Sequence, residues 1–142
     1  MMFSKLLVPI DGSDNSLRAL DHAIFLSKKI TAQITVLRVM EYLPLVYVQS
    51  QRTLDTIISK YLEESENILN KSRDIGKKNG VRIETELKKG DAASNILAYS
   101  KKEGYDTIIM GRRGTGKLKQ IVLGSTSTKV LNHSDCTVVI VK

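Results

Sequence analysis

Two hydrophobic periods alternate along the chain. Lys5 to Ile10 (KLLVPI) is a nearly unbroken apolar run, the pattern of a strand covered on both faces. Leu17, Leu20, Ala23, Ile24 and Ser27 then recur at helical spacing up to about Ile30, after the turn and capping residues Asp11-Gly12-Ser13-Asp14. Ile34, Val36, Leu37 and Val39 make a second strand. Met40 to Ser50 breaks the pattern with an extended, partly apolar loop around Pro44. A long helix follows, with Leu54, Ile57, Ile58, Tyr61, Leu62, Ile68, Leu69 and Ile75 on one apolar stripe and Asn79-Gly80 closing it. Val81 to Leu87 alternates apolar or β-branched residues with charged ones, which predicts a third strand with one wetter face, at a sheet edge. Gly90-Asp91 opens a shorter helix carrying Ala93, Ile96, Leu97 and Ser100, ended by Gly104. Thr107 to Met110 is a fourth strand and Val138 to Val141 a fifth, with a helix between them that begins at Gly124-Ser125. Strands alternating with helices predict an α/β fold: a doubly wound, Rossmann-like open sheet of five parallel strands with helices on both faces. No linker or repeat interrupts residues 1–142, so one domain is expected.

Composition narrows the function classes. With 42% hydrophobic and 26% charged residues the chain is of ordinary globular type. No apolar run approaches the roughly 18 residues of a membrane span. The opening MMFSKLLVPIDG has one lysine and an apolar run cut short by Asp11, so it does not resemble a signal peptide. A cytoplasmic protein with no membrane partner is expected. The lone Cys136 excludes an internal disulfide or a Cys-based zinc cage, and its apolar neighbours predict a buried strand-end thiol. His22 and His133 have no partner at metal-ligand spacing, so no protein-borne metal site is expected. The net charge of +7 comes largely from pairs (Lys28 and Lys29, Lys77 and Lys78, Lys88 and Lys89, Lys101 and Lys102) where helices or turns end. Cations there complement helix dipoles. With no Trp and only two Phe to stack on bases, no specific nucleic acid partner is expected.

The chemistry concentrates in Tyr105 to Thr126, YDTIIMGRRGTGKLKQIVLGST. After the fourth strand come Gly111, Arg112, Arg113 and Gly114, then nine residues, then Gly124 and Ser125. Gly111 and Gly114 let the backbone turn sharply and approach a ligand closely. Ser125 is a preferred residue type for a helix cap, and a helix start favours phosphate. From Thr107 to Ser134 there is no Asp or Glu, while Arg112, Arg113, Lys117, Lys119 and Lys129 fall inside. Glycines, unopposed cations and a helix start together point to an anion, phosphate above all. Gly111 to Lys117 also satisfies seven positions of a P-loop, but Leu118 stands where Ser or Thr must bind Mg²⁺ and no acidic strand end follows. That reading is rejected.

The spacing Gly111-x2-Gly114-x9-Gly124-Ser125 resembles the ATP-binding motif of the universal stress protein family, with VPIDGS, GDAASNIL and VLNHSDCTVVIV supporting it in the right order. The resemblance covers nearly the whole chain. It implies strand order 3-2-1-4-5 and a crevice between the first and fourth strands. It implies ATP or another adenine nucleotide, carrying Mg²⁺ through its phosphates, with Gly114, Gly124, Ser125 and Thr126 on the triphosphate and Arg113 against the nucleotide. Pro9, Ile10, Val39 and Met110 would enclose the adenine, with Gly111 ending the fourth strand beside them. Asp11 would reach the ribose, the base edge or a metal; the alternative is an Asx turn before the first helix. Arg112 is expected in solvent. The resemblance further implies a homodimer through the apolar last strand, Thr137 to Val141, although Thr137 stands where the family usually has proline. Apart from Asp11 no carboxylate lies near the phosphates, and no nucleophile–base pair is evident. A nucleotide-dependent regulatory or stress-response switch with an as yet unspecified protein partner is therefore expected rather than an efficient enzyme, the alternative being a slow ATPase or phosphotransferase.

Overall fold

The computed structural model describes residues 2–42, 50–112 and 123–142. Its elements are β1 (Lys5–Pro9), α1 (Asp14–Ile30), β2 (Gln33–Met40), α2 (Gln51–Lys78), β3 (Ile83–Lys89), α3 (Ala92–Lys102), β4 (Thr107–Gly111), α4 (Ser125–His133) and β5 (Thr137–Val141). The five strands form one parallel sheet in the order β3-β2-β1-β4-β5, as expected. Successive residues of a strand point to opposite faces. Leu6 and Val8 accordingly join Ile34 and Val36 under α1 and α2, against Ala19, Leu20, Ala23, Ile24 and Leu69. Leu7, Leu37, Val39, Ile108 and Met110 line the other face, under Ala93, Ile96 and Val130 of α3 and α4.

Two elements differ from the sequence reading, each for a local reason. The third strand is at an edge but begins at Ile83, not Val81, because the exit from α2 claims the residues before it. Val81 N–H donates to Gly76 O and Gly80 N–H to Lys77 O, a Schellman ending that places Gly80 at φ +69°, where a Cβ would be strained. The α2 stripe is also not buried along its length. Ile58 and Leu62 stay 44% and 40% exposed, while the buried positions are Ser65, Leu69, Ser72 and Gly76. A 28-residue helix is about 42 Å long, whereas the eight residues of β2 span about 26 Å. Only the C-terminal half of α2 therefore meets the sheet. There it comes close: a Cβ on Gly76 would stand 2.7 Å from Ile83 Cδ1 and from Val81 O.

One carboxylate fastens the N-terminal ends of the two central strands. Asp106 Oδ2 accepts Ser4 N–H at 3.0 Å and Lys5 N–H at 2.8 Å as well as the Ser4 hydroxyl, and Oδ1 accepts the Thr107 hydroxyl at 2.7 Å. Partial burial opposes ionisation of Asp106. The hydrogen bonds from Ser4, Thr107 and Lys5 outweigh it and hold the carboxyl below its ordinary range.

Candidate functional site

The chain leaves β1 towards α1 on one face and leaves β4 towards α4 on the other, so the sheet has its topological switch point between these two strands. The hydrogen-bonded ladder stops early there. β1 pairs with β4 only at Leu6↔Thr107 and Leu7↔Ile108, whereas its ladder with β2 runs on to Pro9↔Leu37 and the β4 ladder with β5 to Gly111↔Val141. Pro9 supplies a reason. Ile10 N–H donates to Leu37 O at 2.9 Å, so Ile10 faces β2 and its neighbour Pro9 faces β4, where it has no N–H to give. Beyond Leu7 and Ile108 the two strands are no longer paired, and at such a switch point open α/β sheets carry their ligand crevice; Pro9 and Ile10 stand on one side of it and Met110 and Gly111 on the other.

The apolar candidates do not all share one surface. Val39 and Met110 pack in the same cluster under α3 and α4, 6% and 5% exposed. The Ile10 side chain, 3% exposed, belongs to the opposite cluster, which leaves its backbone rather than its side chain for the crevice.

Asp11 stands at the mouth, half-buried. Its Oδ1 accepts Ser13 N–H at 2.9 Å, and Ser13 in turn caps α1 by accepting Ser16 N–H at 3.2 Å. Asp11 therefore shapes the turn without being the cap, and the turn uses one oxygen of two. Gly12 between them has φ +86°, and a Cβ there would come within 3.1 Å of Ile68 Cδ1 in α2. Both the backbone and the packing require glycine at this point.

Across the crevice, α4 begins without a side-chain cap. Its N-cap is Gly124, not Ser125 as the sequence suggested, and no acidic residue lies in the first turn. The other three helices accept a capping hydrogen bond on Ser13, Ser50 and Asp91. A glycine cap leaves first-turn amides of α4 for another acceptor. Ser125 is exposed and Thr126 half-buried beside them. The helix start is set in place by the end of β4: Gly124 N–H donates to Arg112 O at 2.8 Å, Arg112 N–H to Val141 O at 2.8 Å, and the buried Ser127 hydroxyl to Gly111 O at 2.9 Å.

Gly111 has a packing role beside the one expected of it. It ends β4 outside the left-handed region, and a Cβ on it would stand 2.8 Å from backbone atoms of Asn15. Its missing side chain seats α1 against β4; it is a packing requirement. Arg112 is also not simply in solvent: it is half-buried, and its Nε is shut from water with no partner among the described residues. Arg113, Gly114, Lys117 and Leu118 lie outside the described residues. Cys136 is half-buried rather than buried, just before β5, with Ser134 Oγ 3.2 Å from its sulfur. His22 Nδ1 lies 2.8 Å from Arg18 O, and His133 ends α4. Among the described residues no three His, Cys, Asp or Glu side chains gather into a metal site. Sequence reasoning missed Ser127, Asn15 and Asp106, because their roles are contacts between distant segments and no local motif announces them.

The comparisons with known proteins agree with this architecture. The family model of the universal stress protein family matches residues 2–142. The universal stress protein YxiE of Bacillus subtilis is 37% identical, over 99% of this chain and 100% of its own length. The universal stress protein MJ0531 of Methanocaldococcus jannaschii is 33% identical, over 99% of this chain and 83% of its own length. Among solved structures, the protein MJ0577 superposes with a TM-score of 0.86 at 27% identity, covering 100% of this chain and 97% of that one. Two universal stress proteins share the fold in nucleotide complexes: one bound to cAMP, with a TM-score of 0.75 at 22% identity and coverage of 100% and 99%, and one from Archaeoglobus fulgidus bound to dAMP, with a TM-score of 0.73 at 17% identity and full coverage of both chains. The chain belongs to the universal stress protein family.

Proposed function

We propose that this chain is an ATP-binding universal stress protein whose nucleotide occupancy sets its conformation or its choice of protein partner in a stress response. One observation carries the reading: an uncapped, acid-free helix start stands beside the open end of the β1/β4 seam. First-turn amides of a helix and its partial positive charge favour phosphate. The adenine nucleotides in the two complexes of this fold add support.

In this reading Gly124, Ser125 and Thr126 receive phosphate oxygens, with Gly114 and Arg113 contributing from the glycine segment. The backbones of Pro9 and Ile10, the Val39 and Met110 side chains and the end of β4 at Gly111 border the base. Asp11 keeps one oxygen in its turn and offers the other to ribose or to a metal. The donor set suits Mg²⁺ carried in on the phosphates, because a lone carboxylate at the mouth completes such an ion's shell without building a protein cage. When bound, Mg²⁺ would neutralise phosphate charge. Among the described residues no paired carboxylates and no nucleophile–base pair favour turnover. The apolar β5 lies at the sheet edge with Val138, Val139 and Ile140 only half-buried, which supports a homodimer through it. We place this single-domain protein in the cytoplasm.

Denaturing the purified protein and chromatographing what it releases tests the reading: an adenine nucleotide is expected. Incubation with radiolabelled ATP should show retention with phosphate release at background. Release well above background, lost in Asp11→Ala, would move the assignment to a slow ATPase. Absence of any retained or added nucleotide on the protein would overturn both.

A further inference from the structure

The helices run antiparallel to the strands, so α1 and α2 end at the same edge of the sheet, opposite the crevice, where β2 and β3 begin. Lys28 and Lys29 close α1, and Lys77 and Lys78 close α2. Lys28 Nζ reaches Asn79 Oδ1 at 3.5 Å and joins the two ends. Arg82 follows on the way into β3. Lys28, Thr31, Gln33, Gly80 and Arg82 line a groove of about 520 Å³, and the one carboxylate lining it, Glu84, is already paired with Arg82 at 2.9 Å.

A helix end carries roughly half a negative charge. With Arg82 paired to Glu84, two such ends offset about one of the four lysines, so dipole complementarity accounts for only part of the charge. Apolar side chains stand among the rest. Phe25 is 61% exposed and Ile30 45% exposed at the end of α1, and Met2 is 68% exposed. Lys29 Nζ lies 5.6 Å from the Phe25 ring centroid. Gln33 N–H donates to Ser4 O at 3.0 Å, which sets the segment bearing Met2 beside the exit from α1.

Lysines interspersed with exposed Phe, Ile and Met make a surface suited to lipid headgroups. The cations meet anionic phosphates while apolar tips enter the acyl boundary. A nucleic acid duplex would engage the lysines and leave the three tips in water. We propose that the corner formed by the ends of α1 and α2 docks this protein reversibly on an anionic bilayer surface. The expectation of no membrane partner rested on the absence of a spanning run and did not address such docking. This docking does not depend on the nucleotide reading, because crevice and corner lie at opposite edges of the sheet.

The test is co-sedimentation of the full chain with phosphatidylcholine vesicles, with and without phosphatidylglycerol, and titration with a short DNA duplex alongside. Binding is expected to the anionic vesicles only. Each lysine near a charged surface contributes about fivefold, so Lys28→Glu with Lys29→Glu should weaken it by at least about 25-fold. Phe25→Ser should weaken vesicle binding several-fold and leave any duplex binding unchanged. These side chains are exposed, so every variant should stay folded, with Phe25→Ser melting like the wild type and the two charge reversals at the end of α1 lowering the melting temperature by only a few degrees. Failure to bind anionic vesicles, equal binding to neutral ones, or tighter binding to the duplex with no effect of Phe25→Ser would overturn the proposal.

Discussion

At its N-terminal end the β1/β4 seam is tied by Asp106, which gathers two backbone N–H groups and two hydroxyls across the strand starts. At its C-terminal end Pro9 withholds a donor, the ladder stops after Leu7↔Ile108, and α4 begins without a side-chain cap. The same two strands thus carry satisfied polar groups at one end and, at the other, an unpaired seam beside a glycine-capped helix start. An open crevice is tolerable because the strands are fastened elsewhere. Substitutions at the tied end should change stability and spare binding, and those at the open end should do the reverse.

Gly111→Ala should have the largest effect on stability, because it sits where the two regimes meet. Its Cβ would press on backbone atoms of Asn15, which cannot rotate away, so α1 must shift. A loss of about 2–3 kcal/mol is expected in urea unfolding. Asp106→Asn should follow, at about 2 kcal/mol, since an amide cannot accept from Ser4, Lys5 and Thr107 as a carboxylate does. It also has a pH signature. The native carboxyl titrates below its unfolded value of about 3.9, so the unfolded chain binds the proton first. The stability contributed by Asp106 is full above that value and is lost as pH falls through the lower, native one. The gap between wild type and Asp106→Asn should therefore close as the pH falls below about 4; a gap constant with pH would remove the carboxylate from the account.

Ser127→Ala orphans the buried Gly111 carbonyl and should cost about 1–2 kcal/mol. It should also weaken nucleotide binding by loosening the start of α4, a mixed result that fits its place at the junction. Ser125→Ala should be the smallest in stability, within about 0.5 kcal/mol for an exposed residue, yet still lower nucleotide affinity several-fold. Equal effects of Ser125→Ala and Asp106→Asn on both readouts would dissolve the contrast between the two ends.

The sheet was legible because its signals are local. Apolar runs such as Lys5 to Ile10 and Thr107 to Met110 announce buried parallel strands, and Asn79-Gly80 announces a helix end. Strand order came from the family resemblance, not from periodicity. The switch point was visible only as a consequence of that order. Residue roles were less legible wherever they depend on a distant neighbour. Gly111 carries the same letter whether or not the backbone of Asn15 lies against it, and only the packing shows that contact. Asp106 looks like any polar residue ahead of a strand until Ser4 and Lys5 are brought beside it. The overhang of α2 escaped because an amphipathic stripe records which face is apolar and not whether anything lies opposite.

The central claim is that an adenine nucleotide sits at the open end of the seam, against the start of α4. Gly124→Val tests it most directly, because Gly124 has φ −71° and ψ 166°, a conformation that a β-branched residue also adopts. Calorimetric titration with ATP and Mg²⁺ should give saturable binding at one site per wild-type chain and at least tenfold weaker binding in the variant, with the free variant still folded and melting within a few degrees of the wild type. Equal affinity in the two proteins, or no heat from the wild type, would contradict it.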